Sequence, residues 1–204
     1  MPDSSHSRTM SGFNRRDFLR GTSAAAAATA LATSPHEADA AVAAGALVGP
    51  EARPITLSIN GQARELSVEP RTTLLDVLRY QLQLTGAKPV SIDGSSGAST
   101  VLLDGKLIAA NITLAMDCQG KQITTVESLG GDKPDAVVNA FVHQDAMQCG
   151  FCTPGFVVAV RAFLNKNPNA SEAEIRAGLN GNLCRCGTYA NVIMAALEVV
   201  KGGR

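Results

Sequence analysis

From residue 54 the chain first alternates apolar and polar positions. In "PITLSINGQARELSVE", Ile55, Leu57 and Ile59 share one face of a strand. Asn60-Gly61 supplies a two-residue turn, and Leu66 and Val68 continue on a second strand. The period then lengthens. Leu74, Leu75, Leu78 and Leu82 fall on one helical face, with Thr72 or Thr73 placed to cap the start and Gly86 to end it. A second hairpin is predicted over Thr100 to Leu103 and Lys106 to Ala110, turning at Asp104-Gly105, and a last strand near Gln122 to Val126. Beyond that the pattern is helical only. Ala136 to His143 reads as a helix. Thr153 can be an N-cap with Pro154 in the first helical position. Ser171 and Glu174 form a capping box for a short helix ending near Gly178. Thr188 can cap a final helix with Val192, Ala195, Ala196 and Val199 on one face. Strands with one helix, then helices alone, predict an α+β chain: a small sheet domain over residues 54–130 and an all-helical domain over 134–204.

Residues 1–40 stand apart from that pattern. Arg15 and Arg16 precede Asp17-Phe18-Leu19, and no charge follows from Gly21 to Pro35 in an alanine-rich run. Ala38-Asp39-Ala40 is a small-x-small cleavage site, so cleavage is expected after Ala40. The order of pair, apolar run and cleavage site is that of a twin-arginine export signal, which sends a folded protein to the periplasm. Residues 41–53 read as a loose linker. Apolar residues make up 45% of the 204 and charged residues 18%, enough for a packed core. Net charge is zero and aromatics are 4%, which argues against a nucleic-acid surface. No apolar run reaches membrane-spanning length.

Chemistry concentrates in the cysteines. Cys149 and Cys152 stand as C-x₂-C, and Cys184 and Cys186 as C-x-C, each pair just ahead of a predicted helix whose N-terminus favours thiolates. Disulfides, a structural zinc site and a [2Fe–2S] cluster can all use such a set. Two close pairs suit two irons taking two thiolates each. The lone Cys118 reads as a buried, inert thiol, and His143 as a packing or helix-surface residue. In "KPVSIDGSSGAST", Ser91, Ser96 and Ser99 reproduce the x₄ then x₂ ligand spacing of a plant-type [2Fe–2S] loop, with serine at each cysteine position.

"QCGFCTPG" followed by "GNLCRCGTY" resembles the iron–sulfur subunit of the molybdenum hydroxylases, the xanthine dehydrogenase and aldehyde oxidoreductase family. The likeness runs from about Pro54 to the C-terminus, and it extends to the exported, three-subunit periplasmic aldehyde dehydrogenases, whose small subunit also begins with a twin-arginine signal. It implies a β-grasp, ferredoxin-like domain followed by a small helical [2Fe–2S]-binding bundle. It further implies that Cys149, Cys152, Cys184 and Cys186 hold one cluster. Gln148 and Cys186 would lie near the molybdopterin of a large partner subunit. Electrons would pass from that cofactor towards a flavin subunit or, here, a haem-bearing acceptor. The family pattern K-x-x-C-x₄-C-G-A-C-T-V, with a fourth cysteine before T-L-A, breaks in this chain. Ser91, Ser96, Ser99 and Asn111 occupy the four ligand positions. Serine is a hard, weakly acidic ligand and asparagine has no ionisable donor, so no cluster is expected there.

The resulting expectation is a single-cluster electron-transfer subunit of a periplasmic aldehyde or N-heterocycle dehydrogenase, with substrate chosen by the large subunit. The alternatives are a non-redox scaffold or cluster-deprived variant of the same complex, and a periplasmic zinc or disulfide module.

Overall fold

The computed structural model describes residues 49–202; Arg15, Arg16, the export signal and most of the linker lie outside them. The first hairpin pairs β1 (Arg53–Ile59) with β2 (Gln62–Val68), antiparallel from Arg53 opposite Val68 to Ile59 opposite Gln62. Asn60 and Gly61 both have positive φ, as the tight turn requires. The second hairpin joins β3 (Thr100–Leu103) to β4 (Lys106–Ala109), turning at Asp104 and Gly105. The last strand, β5 (Gln122–Thr124), inserts between the hairpins, parallel to β1 and antiparallel to β3. The result is a five-stranded mixed sheet in the order β2-β1-β5-β3-β4.

One helical segment, α1, covers the sheet: an α turn, Leu74–Asp76, running on into a π turn, Val77–Gln81. Thr73 caps it in a reciprocal box with Asp76. The segment ends before the predicted Gly86. Leu82 N–H reaches back to the Val77 carbonyl, and Gln83 takes a left-handed backbone conformation that stops the helix. Ile55, Leu57, Ile59 and Val68 from the first hairpin bury against Leu74, Leu75, Val77 and Leu78. Cys118 is fully buried in the same core, its thiol donating to the Leu114 carbonyl at 3.5 Å.

The helical part comprises α2 (Ala136–His143), α3 (Thr153–Lys166), α4 (Glu172–Gly178) and α5 (Tyr189–Val200). The Ser171–Glu174 box caps α4 as the sequence implies. The face predicted for α5 packs inward through Val192, Ala195 and Ala196, against Phe156, Val160 and Phe141. His143 is a surface residue: its Nδ1 lies 2.9 Å from Glu198 on α5, and Gln144 donates to the same carboxylate at 2.6 Å. Strand β3 links the two cores through its two-residue period. Val101 faces the α1 core, while Leu102 packs with Val158 and Ala162 of α3 on the opposite side.

Two caps differ from expectation. Thr153 is the first residue of α3, and Cys152 occupies the cap position; Cys152 already has helical backbone angles, so the helix begins one residue early. Thr188 sits at the cap of α5 but gives no side-chain cap bond, because its hydroxyl is directed to Cys184 instead.

Candidate metal centre

The two cysteine segments meet where α3 and α5 begin. Cys149 lies beside Cys186, and Cys152 beside Cys184, close enough for each to influence the other's acidity. All five cysteines of the chain are free thiols; Cys184 is buried, Cys152 half-buried, Cys149 and Cys186 exposed. Cys184 is the most tightly fixed. Its Sγ lies 3.2 Å from the Thr188 hydroxyl and receives the Thr188 N–H at 3.4 Å. Its own N–H donates to the Tyr189 hydroxyl at 2.8 Å.

The sulfurs differ in acidity. Burial pushes Cys184 up, but the Thr188 hydroxyl and N–H, the Cys152 thiol and the Gly187 N–H together bring it down to about 7. Burial, its bond to Cys184 and the neighbouring negative charge push Cys152 up to about 12. Cys149 is lowered by the Phe151 N–H and then by Cys186. Cys186 gains from the Cys149 N–H, yet its bond to the Cys149 sulfur, burial and nearby thiolates leave it raised. Cys184 and Cys149 are thus held below the ordinary thiol value, and Cys152 and Cys186 above it. Metal loading would release the remaining protons.

Among the described residues, no three Cys, His, Asp or Glu side chains gather to hold a single ion. Two facing pairs are a donor set for two metal atoms taking two thiolates each, which a [2Fe–2S] cluster requires. The Thr153 hydroxyl, next to Cys152, is buried without a partner. A polar atom so placed suits an acceptor outside the polypeptide. The residues fit the cluster.

The serine loop does not. Ser91 and Ser96 hydroxyls lie 3.0 Å apart, and Ser91 Oγ also accepts the Ser96 N–H at 3.1 Å. Ser99, only 3% exposed, donates to Asn111 Oδ1 at 2.6 Å. The Asn111 amide donates to the carbonyls of Ser91 at 2.9 Å and Ile92 at 3.0 Å. The four positions that the family pattern fills with cysteine do converge. They are tied to one another and to the loop backbone, and offer hydroxyls and an amide where iron–sulfur chemistry takes thiolates.

Residues 125–197, which contain all four paired cysteines, match the model of the [2Fe-2S] binding domain. Residues 12–32 match the twin-arginine translocation signal, so the chain is exported to the periplasm by that pathway. Over 204 aligned residues the chain is 42% identical to the aldehyde oxidoreductase iron-sulfur-binding subunit PaoA of Escherichia coli K12, covering 92% of this chain and 88% of that one. The chain belongs to the iron–sulfur subunits of the molybdenum hydroxylases.

Solved structures agree with this family. Quinoline 2-oxidoreductase from Pseudomonas putida 86 superposes with a TM-score of 0.72 at 39% identity, over 76% of this chain and 97% of that one. Aldehyde oxidoreductase from Desulfovibrio desulfuricans does so with a TM-score of 0.71 at 38% identity, over 74% of this chain and 18% of that longer one. As an iron–sulfur subunit the chain is one component of an oxidoreductase. No helix among the described residues is long and apolar enough to cross a membrane. Sequence reasoning missed Asn182 and Leu183, which join the second cysteine segment to the serine loop. A buried asparagine that bonds across 85 residues of sequence leaves no local signature.

Proposed function

We propose that this chain is the electron-transfer subunit of a periplasmic molybdenum-containing aldehyde or N-heterocycle dehydrogenase. It would carry electrons from the molybdenum cofactor of a large partner subunit, through one [2Fe–2S] cluster, to a further acceptor, either a flavin subunit or a haem-bearing protein. One observation supports this reading above others: two facing thiol pairs stand beside a ferredoxin-type loop closed by its own hydrogen bonds. Cys149, Cys152, Cys184 and Cys186 would hold the cluster, which supplies one-electron storage when bound. We read residues 54–130 as a β-grasp, ferredoxin-like domain without cluster ligands, and 134–204 as the cluster-binding bundle. Gln148 and Cys186 are exposed, and we assign them to the pterin of the partner's cofactor.

The residues around the sulfurs would set the potential. Thr188 directs two donors at Cys184, and donors to a ligand sulfur favour the more negative, reduced state. Thr188→Val removes the hydroxyl while keeping the N–H and the side-chain volume. The midpoint potential is expected to fall on the order of 50 mV, somewhat less than a tenfold change in a one-electron equilibrium. Redox titration by EPR measures it; an unchanged potential would place Thr188 outside the cluster's surroundings, and a higher one would overturn its role as a donor to the sulfur.

Iron and acid-labile sulfide per chain, with EPR of the reduced protein, test the proposal as a whole. About two irons and one rhombic signal are expected. Colourless, iron-free protein would leave a zinc or disulfide module. A second reading, a non-redox scaffold in the same complex, draws on the closed serine network. Two irons in a complex that reduces no acceptor during turnover would favour it.

A further inference from the structure

The emptied loop does more than fill space, because its tip is seated on both cysteine segments. The Ser96 carbonyl accepts the Leu183 N–H at 3.0 Å, and the Gly97 carbonyl accepts the Asn182 side-chain amide at 3.0 Å. Asn182, 6% exposed, and Leu183 are the two residues immediately before Cys184. On its other side the loop meets the first turn of α3: a Cβ on Gly155 would sit 2.3 Å from the Gly97 carbonyl oxygen. A Cβ on Gly97 would sit 2.3 Å from the Gly181 carbonyl, and its φ is +68°. Only glycine allows three backbones this close. Phe151, between the C-x₂-C cysteines, lies under the Lys88 ammonium 5.9 Å from the ring centre. Both halves of the thiol set therefore lean on a loop that has no thiols of its own.

That loop would have been braced by its own cluster in the pattern the sequence departs from. Here the bracing comes from side chains. Ser91 and Ser96 cross-link its two arms, and Asn111 ties Ser91, Ile92 and Ser99 to the end of β4. We infer that Ser91, Ser96, Ser99 and Asn111 are positioning residues for the surviving metal centre. They hold the Ser96–Gly97 tip in place, and the tip holds Asn182–Cys184 against the start of α3. The inference rests on the reading that Cys149, Cys152, Cys184 and Cys186 bind the cluster. It gives the retained loop a role in the chemistry of the other domain.

The test uses the full exported chain with its cluster. Three proteins are compared with wild type: Ser99→Ala with Asn111→Ala, which cuts the brace; Asn182→Ala, which cuts the link; and Ser95→Ala, an exposed control on the same loop that bonds only to Asp93. Cluster loss is followed as bleaching of visible absorption by an iron chelator, and the cluster's electronic structure by EPR. Brace and link variants are expected to bleach about tenfold faster, the scale of losing an outer partner of a metal ligand, and to show a shifted or broadened EPR signal. Ser95→Ala should behave as wild type. The EPR signature separates positioning from general destabilisation, which would leave the bound cluster's spectrum unchanged. Should the brace variant fail to fold, Asn182→Ala carries the decision. Wild type with two irons and an Asn182→Ala protein that bleaches at the wild-type rate with an identical spectrum would overturn this inference alone. Wild type without iron would overturn the proposed function and this inference with it.

Discussion

Replacing Cys184 with alanine is expected to abolish the cluster, taking iron from about two per chain to near zero with loss of visible colour. Cys184 is the sulfur with the most fixed position: buried, facing Cys152, approached by the Thr188 hydroxyl and N–H, and anchored through its N–H to Tyr189. It is also the more acidic member of its pair, brought to about 7. Without it, Cys152 loses the neighbouring sulfur of the other segment. One iron would then be left with a single thiolate ligand. Cys118→Ala supplies the contrast. That thiol lies in the core beneath the sheet, bonded to the Leu114 carbonyl and raised by burial, far from the other four in both role and packing. It should leave iron content and EPR unchanged. A Cys184→Ala protein that keeps two irons would mean the ligand set has been misassigned.

The positions of most elements were legible because they follow from short-range rules. Asn60-Gly61 and Asp104-Gly105 turn their hairpins with positive φ at each residue. The Ser171–Glu174 box starts α4 where its spacing says it should. The misses are places where tertiary contacts override local preference. Thr188 carries a good N-cap side chain, but a sulfur lies within reach and takes the hydroxyl. Thr153 gives up its capping role because Cys152 already adopts helical angles. The helix over the sheet stops short because the Gln83 backbone turns left-handed, which no apolar period reports. The site divides along the same line. Four cysteines at two close spacings are a local signal, and so are three serines at a ligand spacing. Their pairing across the two segments joins residues more than 30 apart, and the seat of Ser96–Gly97 against Asn182–Leu183 joins residues at least 85 apart; only folding brings them together.

Writing cysteine back at Ser91, Ser96, Ser99 and Asn111 together is expected to double the iron, from about two to about four per chain, and to add a second EPR signal. The backbone is already gathered for it: Ser91 lies against Ser96, Ser99 against Asn111, and Asn111 against the Ser91 carbonyl. Gly94 and Gly97 retain the positive φ that such a tight loop needs. All four changes are required at once. Asn111→Cys alone leaves the buried Ser99 hydroxyl without its acceptor, and a buried group left unpaired costs about 1–3 kcal/mol. Stepwise variants should therefore lose stability without gaining iron, and only the complete set exchanges a satisfied polar network for a satisfied cluster. Turnover of the reconstituted complex then separates two histories of the loop. A large gain over wild type would mean that electrons are held up for want of the second cluster. No gain, or a loss, would mean that the route from the first cluster already leads to another acceptor. A quadruple variant that folds cooperatively yet still binds two irons would mean that the loop has been reshaped as well as stripped of its sulfurs. Its serines and asparagine would then be fitted to bracing the neighbouring centre.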